Sequence, residues 1–473
     1  MKNSTRAREA RVGDLARAAD LAVRTPALAR RLFATRLRPA ERRALTRLAR
    51  AARRHGMRVY LVGGVVRDLL LRRPVGDLDL ALDGDLRPLL DSLGGRALEH
   101  APFGTATLQL PGGVRLDLAR TRRETYPCPA ALPRVIPAGL AEDLARRDVA
   151  INALAMPVGL DGAEGVIDPF GGRADLRRKR VRVLYDRSFE DDPTRALRAV
   201  RVAADLGFRI EARTERLLRS AVSAGMLDRL SSARLRAEFV RTLSSRRPSV
   251  ALRLLARLDL LQSLAPDLIC SRRTSQALER VPAIVERLGP SALGGSPSLW
   301  LIALALLLHL SSAATVDSVI SRLQPANVEA NTLRDAVDAL HELPRRLAGS
   351  ARLRPSLIHA SCRGRSLEAL LSVVAGSSST RVRHAVSRYL TALRHVRADI
   401  NGHDLLRAGV EAGPLVARGL AAALVAKLDG AARTHAEQLE AALATTRRSG
   451  SDPARAESAC PEEGHHPGGG TAS

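Results

Sequence analysis

Between residues 41 and about 185 the apolar residues fall into short runs, RVYLVGG, GDLDLAL, TATLQL and VRLDLAR, separated by stretches in which they recur every three or four positions. The short runs, bounded by glycine or charged residues, predict strands, and the 3.6-residue stretches, beginning with PAERRALTRLARAARRHG, predict helices. Past residue 185 the strand pattern stops. TRALRAVRVAADLGF, ARLRAEFVRTLSS, SVALRLLARLDLLQSL, TLRDAVDALHEL and GLAAALVAKLDG all carry the helical period. The pattern predicts an α/β head followed by a long all-helical remainder, with no fixed-period repeat. SLWLIALALLLHL, residues 298–310, is apolar on every side but too short to cross a bilayer, so it is expected to be a buried helix with His309 in the core. Residues 1–40 are basic and weakly periodic and are set apart as an extension; residues 448–473 lack apolar content and are expected to be disordered, their histidine pair inert.

A chain of 473 residues can hold two to four domains, and 45% apolar content marks it as globular. A formal charge of +26 points to a polyanionic partner, because clustered arginines neutralise phosphates and release their counterions. Lysine occurs only at 2, 179 and 427, so the charge is almost all arginine, and a biased arginine-, alanine- and leucine-rich composition is a competing explanation. Cys128, Cys270, Cys362 and Cys460 have neither metal-ligand spacing nor a disulfide framework, which fits a reducing cytoplasm. The charged N-terminus has no apolar core of the kind a secretory signal needs. A soluble, cytoplasmic protein is expected, with no membrane association and no protein partner indicated.

The chemistry concentrates in VYLVGGVVRDLLLRRPVGDLDLAL, residues 59–82. Side chains two apart on a strand share a face, so Asp77 and Asp79 place two carboxylates within a few ångströms of each other, where they repel unless a cation lies between them. All-oxygen ligation suits Mg²⁺, and paired metals are the usual arrangement for in-line displacement at phosphorus. Gly63 and Gly64, between a strand and a helix, would let bare backbone N–H groups approach a triphosphate, with Arg67 close behind. Alone, a D-x-D pair reads as a solvated face and a GG as a turn.

Joined at this spacing, GG-x-x-R-D followed by D-x-D resembles motif A of the nucleotidyltransferase superfamily that includes DNA polymerase beta, and in particular the class II tRNA nucleotidyltransferases (CCA-adding enzymes) and their bacterial poly(A) polymerase relatives. FGTATL and VRLDLARTRRETYPCPAALPRV are similar to the family's next strands and its flexible loop. Asp117 there stands as either a supporting carboxylate or a structural one. EDLARRDVAINALAM resembles motif B, which implies that Arg147, Asp148 and Asn152 contact the triphosphate and ribose; Val149-Ala150 replaces the usual Phe-Thr. DPFGGRADL resembles motif C, with Asp168, Gly171, Gly172 and Asp175 as a hinge element. ADINGHDLLRAGVEAGPLVARGLAAALVAKLDG, residues 398–430, is similar to the C-terminal region of bacterial members, with Gly402, Asp404, Leu405, Gly409, Gly413 and Pro414 in place.

SFEDDPTRALRAVR resembles motif D. If Asp192 and Arg195 lie on a helix they share a face, with Arg198 and Arg201 continuing the stripe. The two readings are an intrahelical salt bridge and a base-reading pair. Cytosine and adenine offer an amine donor beside a ring-nitrogen acceptor, and uracil and guanine invert that order, so one carboxylate and one guanidinium can accept C and A while rejecting U and G.

The resemblance implies an α+β nucleotidyltransferase head with a mixed, polymerase-beta-like sheet over 41–170, then an all-α neck (171–245), body (246–345) and tail (346–447). It also implies a template-independent transferase that uses CTP, ATP and Mg²⁺ to add or repair all or part of the CCA at a tRNA 3′ end, the acceptor arm being gripped by basic helices. Poly(A) addition to general RNA and a catalytically idle RNA-binding protein are the alternatives.

Overall fold

The computed structural model describes residues 20–93, 96–100, 104–349 and 353–450. The chain divides into two compact units, one running to Glu279 and taking in Ser298–Arg334, the other comprising Arg280–Pro297 and the chain from Asp335 onward.

In the first unit, helices α1 (Pro26–Arg36) and α2 (Pro39–Arg54) precede strand β1 (Val59–Val62), helix α3 (Gly64–Leu70), strand β2 (Leu78–Leu82) and helix α4 (Arg87–Leu93). Strands β3 (Arg96–His100), β4 (Thr105–Leu110) and β5 (Val114–Arg120) follow. Then come a ribbon of β6 (Arg122–Thr125) and β7 (Arg134–Pro137), helix α5 (Leu140–Ala145), and strands β8 (Ala155–Gly159) and β9 (Gly162–Ala163). Seven strands form one sheet in the order β3-β4-β5-β2-β1-β8-β9. Its pairings are antiparallel except for β2 with β5, so the sheet is mixed.

Alternation gives this sheet two differently used faces. Tyr60, Val62 and Ala81 pack with Leu140, Leu144, Ala155 and Ile167 on one face. Leu61, Leu80, Leu82, Leu116 and Leu118 point the other way and are all buried. The helices that meet these strands cover that second face, chief among them α2, which crosses β1, β5, β8 and β9. Leu45 and Leu48 of α2 are fully buried, each contributing on the order of 2 kcal/mol.

The stretch read as a basic extension contributes to the head. Ala29, Leu32 and Phe33 of α1 are buried, Phe33 lies against Gly162, and Arg24 exchanges backbone hydrogen bonds with Val166. Residues 1–19 lie outside the described residues. The segment likened to a flexible loop is, over most of its length, the antiparallel β6–β7 ribbon.

After helix α6 (Gly172–Arg177) come a short helix α7 (Ser188–Asp191) and the helices α8 (Thr194–Leu206), α9 (Ala212–Ser223), α10 (Ser232–Leu243) and α11 (Pro248–Arg257); α10 and α11 pack on α8. The helix Leu299–Leu308 is buried from Trp300 to Leu308, as its all-round apolar sequence demands. His309 is not in the core: it caps that helix half-buried, its Nδ1 2.9 Å from the Leu306 carbonyl. Among the described residues no helix is long and apolar enough to cross a membrane.

In the second unit, Ile400, Leu405, Ala423 and Ala442 form a small core beneath Gly402–Arg407, Pro414–Leu428 and His435–Gly450. Asn401 and Asp404 make a capping box at the first of these helices, so Gly402, Asp404 and Leu405 of the family-like C-terminal stretch have structural work. The last helix carries backbone order to Gly450, into the stretch expected to be disordered; residues 451–473 lie outside the described residues.

Candidate active site

Strand β2 presents Asp79, and its parallel register with β5 sets Asp117 directly beside it. Asp77 lies one residue before the strand, exposed, two positions from Asp79. Asp117 accepts a hydrogen bond from Thr107 Oγ1 at 2.6 Å and lies 3.2 Å from Arg115 Nη2. Asp79 is exposed on its strand, yet its carboxyl is pushed up to about 6: partial loss of hydration is the largest cause, Arg147 opposes it, and the charges of Asp117 and Asp77 add to it. Such a group is relieved by a divalent cation, and the all-oxygen donor pair fits Mg²⁺, with Asp77 and Asp79 the residues that would hold it. Among the described residues no three His, Cys, Asp or Glu side chains are grouped to hold a metal ion.

Asp79 opens onto a polar cleft of about 420 Å³ that also reaches Gly63, Gly64, Arg147, Asp148, Asn152, Asp192, Arg195 and Arg198. That volume suits a small-molecule ligand such as a nucleotide. Gly63 has φ +73°, and a Cβ there would come 2.8 Å from Arg147 Nη1. Its N–H is bonded to the Leu154 carbonyl at 3.1 Å, so this glycine provides room for Arg147 and not the free donor expected of it. Arg67 likewise stands behind the cleft. It pairs with Asp68 at 2.9 Å and donates to Asn152 Oδ1 at 2.7 Å, which orients Asn152.

Motif B is held by a buried charge network. Asp143 binds Arg146 and Arg147, each at 2.8 Å, and is kept below the usual carboxylate range by the two guanidinium groups despite its burial. Arg147 Nε is buried with no hydrogen-bond partner among the described residues. Asp148 accepts from Val149 N–H and Asn152 Nδ2 and pairs with Arg198 at 3.0 Å. Burial pushes its pKa up, but Arg198 and these hydrogen bonds outweigh that and hold it down at about 2. Motif C is clamped to motif B. Asp168 caps α6 through the N–H groups of Gly172 and Arg173, a Cβ on Gly172 would collide with the Ala150 carbonyl, and fully buried Asp175 pairs with Arg180 and Arg182.

Motif D departs from the helical expectation. Asp192 is extended, with φ −136° and ψ 97°, between α7 and α8, because a residue before proline is steered out of the helical region. Its Oδ1 accepts from Thr194 N–H (3.0 Å), Thr194 Oγ1 (2.6 Å) and Arg234 Nη2 of α10 (2.8 Å). No Asp192–Arg195 salt bridge is present, and Oδ2 takes none of these bonds. Arg195, 3% exposed, donates instead to Tyr185 Oη, Ser188 Oγ, Tyr126 Oη and the Arg146 carbonyl, with both tyrosine rings within 6 Å of its guanidinium carbon. Burial pushes the Tyr185 phenol up to about 12, so it stays protonated. Arg201 points toward Glu238 of α10, 3.7 Å away.

The cleft thus gathers the glycine pair, Asp79 and the motif B and D residues, while Arg67, Asp77 and Arg201 lie outside its lining. Sequence reasoning missed Tyr126, Asp143, Arg146 and Arg234. Arg146 had a signal in its place beside Arg147; Arg234, whose Nη1 also donates to the Ala130 carbonyl of the ribbon at 2.7 Å, had none.

A sheet-borne carboxylate opening onto an arginine-rich, nucleotide-sized cleft suits nucleotidyl transfer. Residues 59–182 match the Poly A polymerase head domain family, and residues 207–270 match the family described as a probable RNA and SrmB-binding site of polymerase A. The chain is 36% identical over 396 residues to an A-adding tRNA nucleotidyltransferase of Geobacter sulfurreducens, covering 81% of this chain but only 45% of that protein. It is 30% identical over 377 residues to the A-adding enzyme of Halalkalibacterium halodurans, covering 78% of this chain and 84% of the relative. The Thermotoga maritima CCA-adding enzyme complexed with tRNA superposes with a TM-score of 0.70 at 30% identity, over 88% of this chain and 98% of that one. The chain belongs to the class II tRNA nucleotidyltransferase and bacterial poly(A) polymerase family.

Proposed function

We propose that the protein is a template-independent tRNA nucleotidyltransferase that completes the 3′-terminal CCA, or part of it, from CTP and ATP. The observation that carries this reading is one cleft in which Asp79, Arg147 and the Asp192–Arg195 set converge. The RNA 3′-hydroxyl attacks the α-phosphate of the bound nucleotide, the new phosphodiester forms, and pyrophosphate leaves. Asp77 and Asp79 would hold divalent cations, which when bound ease deprotonation of that hydroxyl and offset charge on the leaving group. Arg147, held by Asp143 and with its Nε turned into the protein unpaired, binds the triphosphate. Asn152, oriented by Arg67 and Asp148, meets the ribose. Asp192 Oδ2 takes the amine of C or A while Arg195, whose Nη1 and Nη2 are engaged by the two phenols, Ser188 and the Arg146 carbonyl, offers its Nε–H to the ring nitrogen. The base is thereby chosen by side chains, with no template strand.

Both curated relatives named above are A-adding enzymes, which favours as a second reading the addition of the terminal A alone. Offering ATP to a tRNA that lacks only its final A, and to an unrelated RNA of equal length, tests the reading. One residue added to the tRNA and none to the other RNA supports it, whereas a long tail on both assigns the chain to poly(A) synthesis.

A further inference from the structure

Helices α1 and α2 enclose a groove that the proposed reaction does not use. It measures about 510 Å³ and is lined by Arg30, Arg42, Arg43, Arg47 and Arg50, with Phe33 and one carboxylate, Asp161. Helix α2 covers the sheet face opposite Tyr60, Val62, Asp79 and Ala81, so the groove lies on the far side of the head from the transfer cleft.

The charge here is not a diluted share of an arginine-rich composition. Residues 26–54 hold ten arginines and one acid, Glu41, which is 6% exposed and occupied by Arg38 at 2.8 Å. The segment Asn327–Ala348 sets three arginines against Glu329, Asp335, Asp338 and Glu342, which is what composition bias without a partner produces. Arg42 and Arg47 are anchored to the Ala34 and Leu93 carbonyls, whereas among the described residues Arg30, Arg43 and Arg50 make no ion pair. Arg43, Arg47, Arg50 and Arg54 recur at intervals of four, three and four residues. They form one exposed row about 16 Å long at a rise of about 1.5 Å per residue.

A row of guanidinium forks in a groove where five arginines face a single lining carboxylate, Asp161, suits the regularly spaced phosphates of a nucleic acid. Neither helix exposes a large apolar side chain that would insert into a lipid surface. We propose that the α1–α2 groove is a second RNA-binding surface of the head, gripping the phosphate backbone without reading sequence. The choice of RNA among polyanions rests on the proposed activity; the groove's affinity for phosphate does not.

The test uses the full chain carrying Arg30→Gln, Arg43→Gln and Arg50→Gln together, with fluorescent tRNA lacking CCA titrated at several salt concentrations. Each lost phosphate contact lowers the slope of log Kd against log salt by about 0.7–0.9, so a fall of about two is expected, with Kd weakened at least tenfold near physiological salt. The rate of nucleotide addition at saturating tRNA and the melting temperature should be unchanged. Lysine at the same three positions should retain the wild-type slope, since it keeps the charge. An unchanged slope in the glutamine variant overturns the proposal, as does an equal loss in the lysine variant, which would mean disturbed packing. Loss of binding to phosphatidylglycerol vesicles with tRNA binding intact also overturns it. If the wild-type protein adds nothing to any tRNA yet the slope responds as stated, the proposed activity fails and the surface stands.

Discussion

Replacing Asp192 by asparagine isolates base choice from stability. Oδ1 is fixed by three donors, Thr194 N–H, Thr194 Oγ1 and Arg234 Nη2, so an asparagine keeps its carbonyl oxygen there and turns its amide into the position of Oδ2. The cap on α8 survives, which it would not in Asp192→Ala. At the base edge, an acceptor becomes a donor: the amines of C and A meet N–H, while the carbonyls of U and G gain a partner. Each change is worth on the order of 1–3 kcal/mol, so the preference for C and A over U and G should fall by roughly tenfold to a hundredfold or more. The weakened Arg234 contact, 15–21% exposed, costs about 1 kcal/mol and a few degrees of melting temperature at most. The assay is kcat/KM for all four nucleoside triphosphates on one tRNA acceptor, beside a melting curve. If the nucleotide preference is unchanged, Asp192 does not read the base and its role is confined to capping α8.

Asp79→Asn should abolish transfer while tRNA Kd stays within a few-fold, because phosphate contacts elsewhere hold the RNA; near-normal turnover would remove the carboxylate from the reaction. The same variant should melt at higher temperature than wild type at neutral pH in chelator. The folded state keeps a proton on Asp79 up to about pH 6 that the unfolded chain has already released, so this carboxylate costs stability as pH rises through that window; a lower melting temperature contradicts the assignment. Below about pH 6 that proton competes with the cation, and the magnesium concentration giving half-maximal activity should rise roughly tenfold per unit of pH; a flat dependence counts against Asp79 as a ligand. Asp175→Ala, at a fully buried carboxylate joining two arginines, should cost about 3 kcal/mol in denaturant unfolding, and a loss below about 1 kcal/mol would show that motif C is not clamped by this pair.

The parts of the site that were legible in the sequence are the local ones. Strand alternation set Asp79 on the sheet face away from Leu78 and Leu80, and the glycine pair marked the β1–α3 turn. The position of Asp192 was missed although its signal was local: the proline at 193 steers the preceding residue out of the helical region that the three-residue spacing to Arg195 suggested. What spacing could not show were pairings across the fold. Asp117 reaches Asp79 only through the parallel β2–β5 register, and Arg234 reaches Asp192 from a helix forty-two residues later. Helix α1 was obscured because its apolar triplet, Ala29, Leu32 and Phe33, is embedded among arginines that lower its apparent amphipathicity.

The most direct test of the central claim, that side chains in one cleft select C and A without a template, is a single-turnover panel. tRNAs ending before the first C, before the second C and before the A are each incubated with one labelled nucleotide at a time, and the added length is read. The account predicts that CTP or ATP extends at least one of these acceptors by the residues missing from CCA and then stops, with UTP and GTP excluded on all three. Incorporation of all four nucleotides at similar rates, or no addition to any acceptor with Mg²⁺ present, would contradict it.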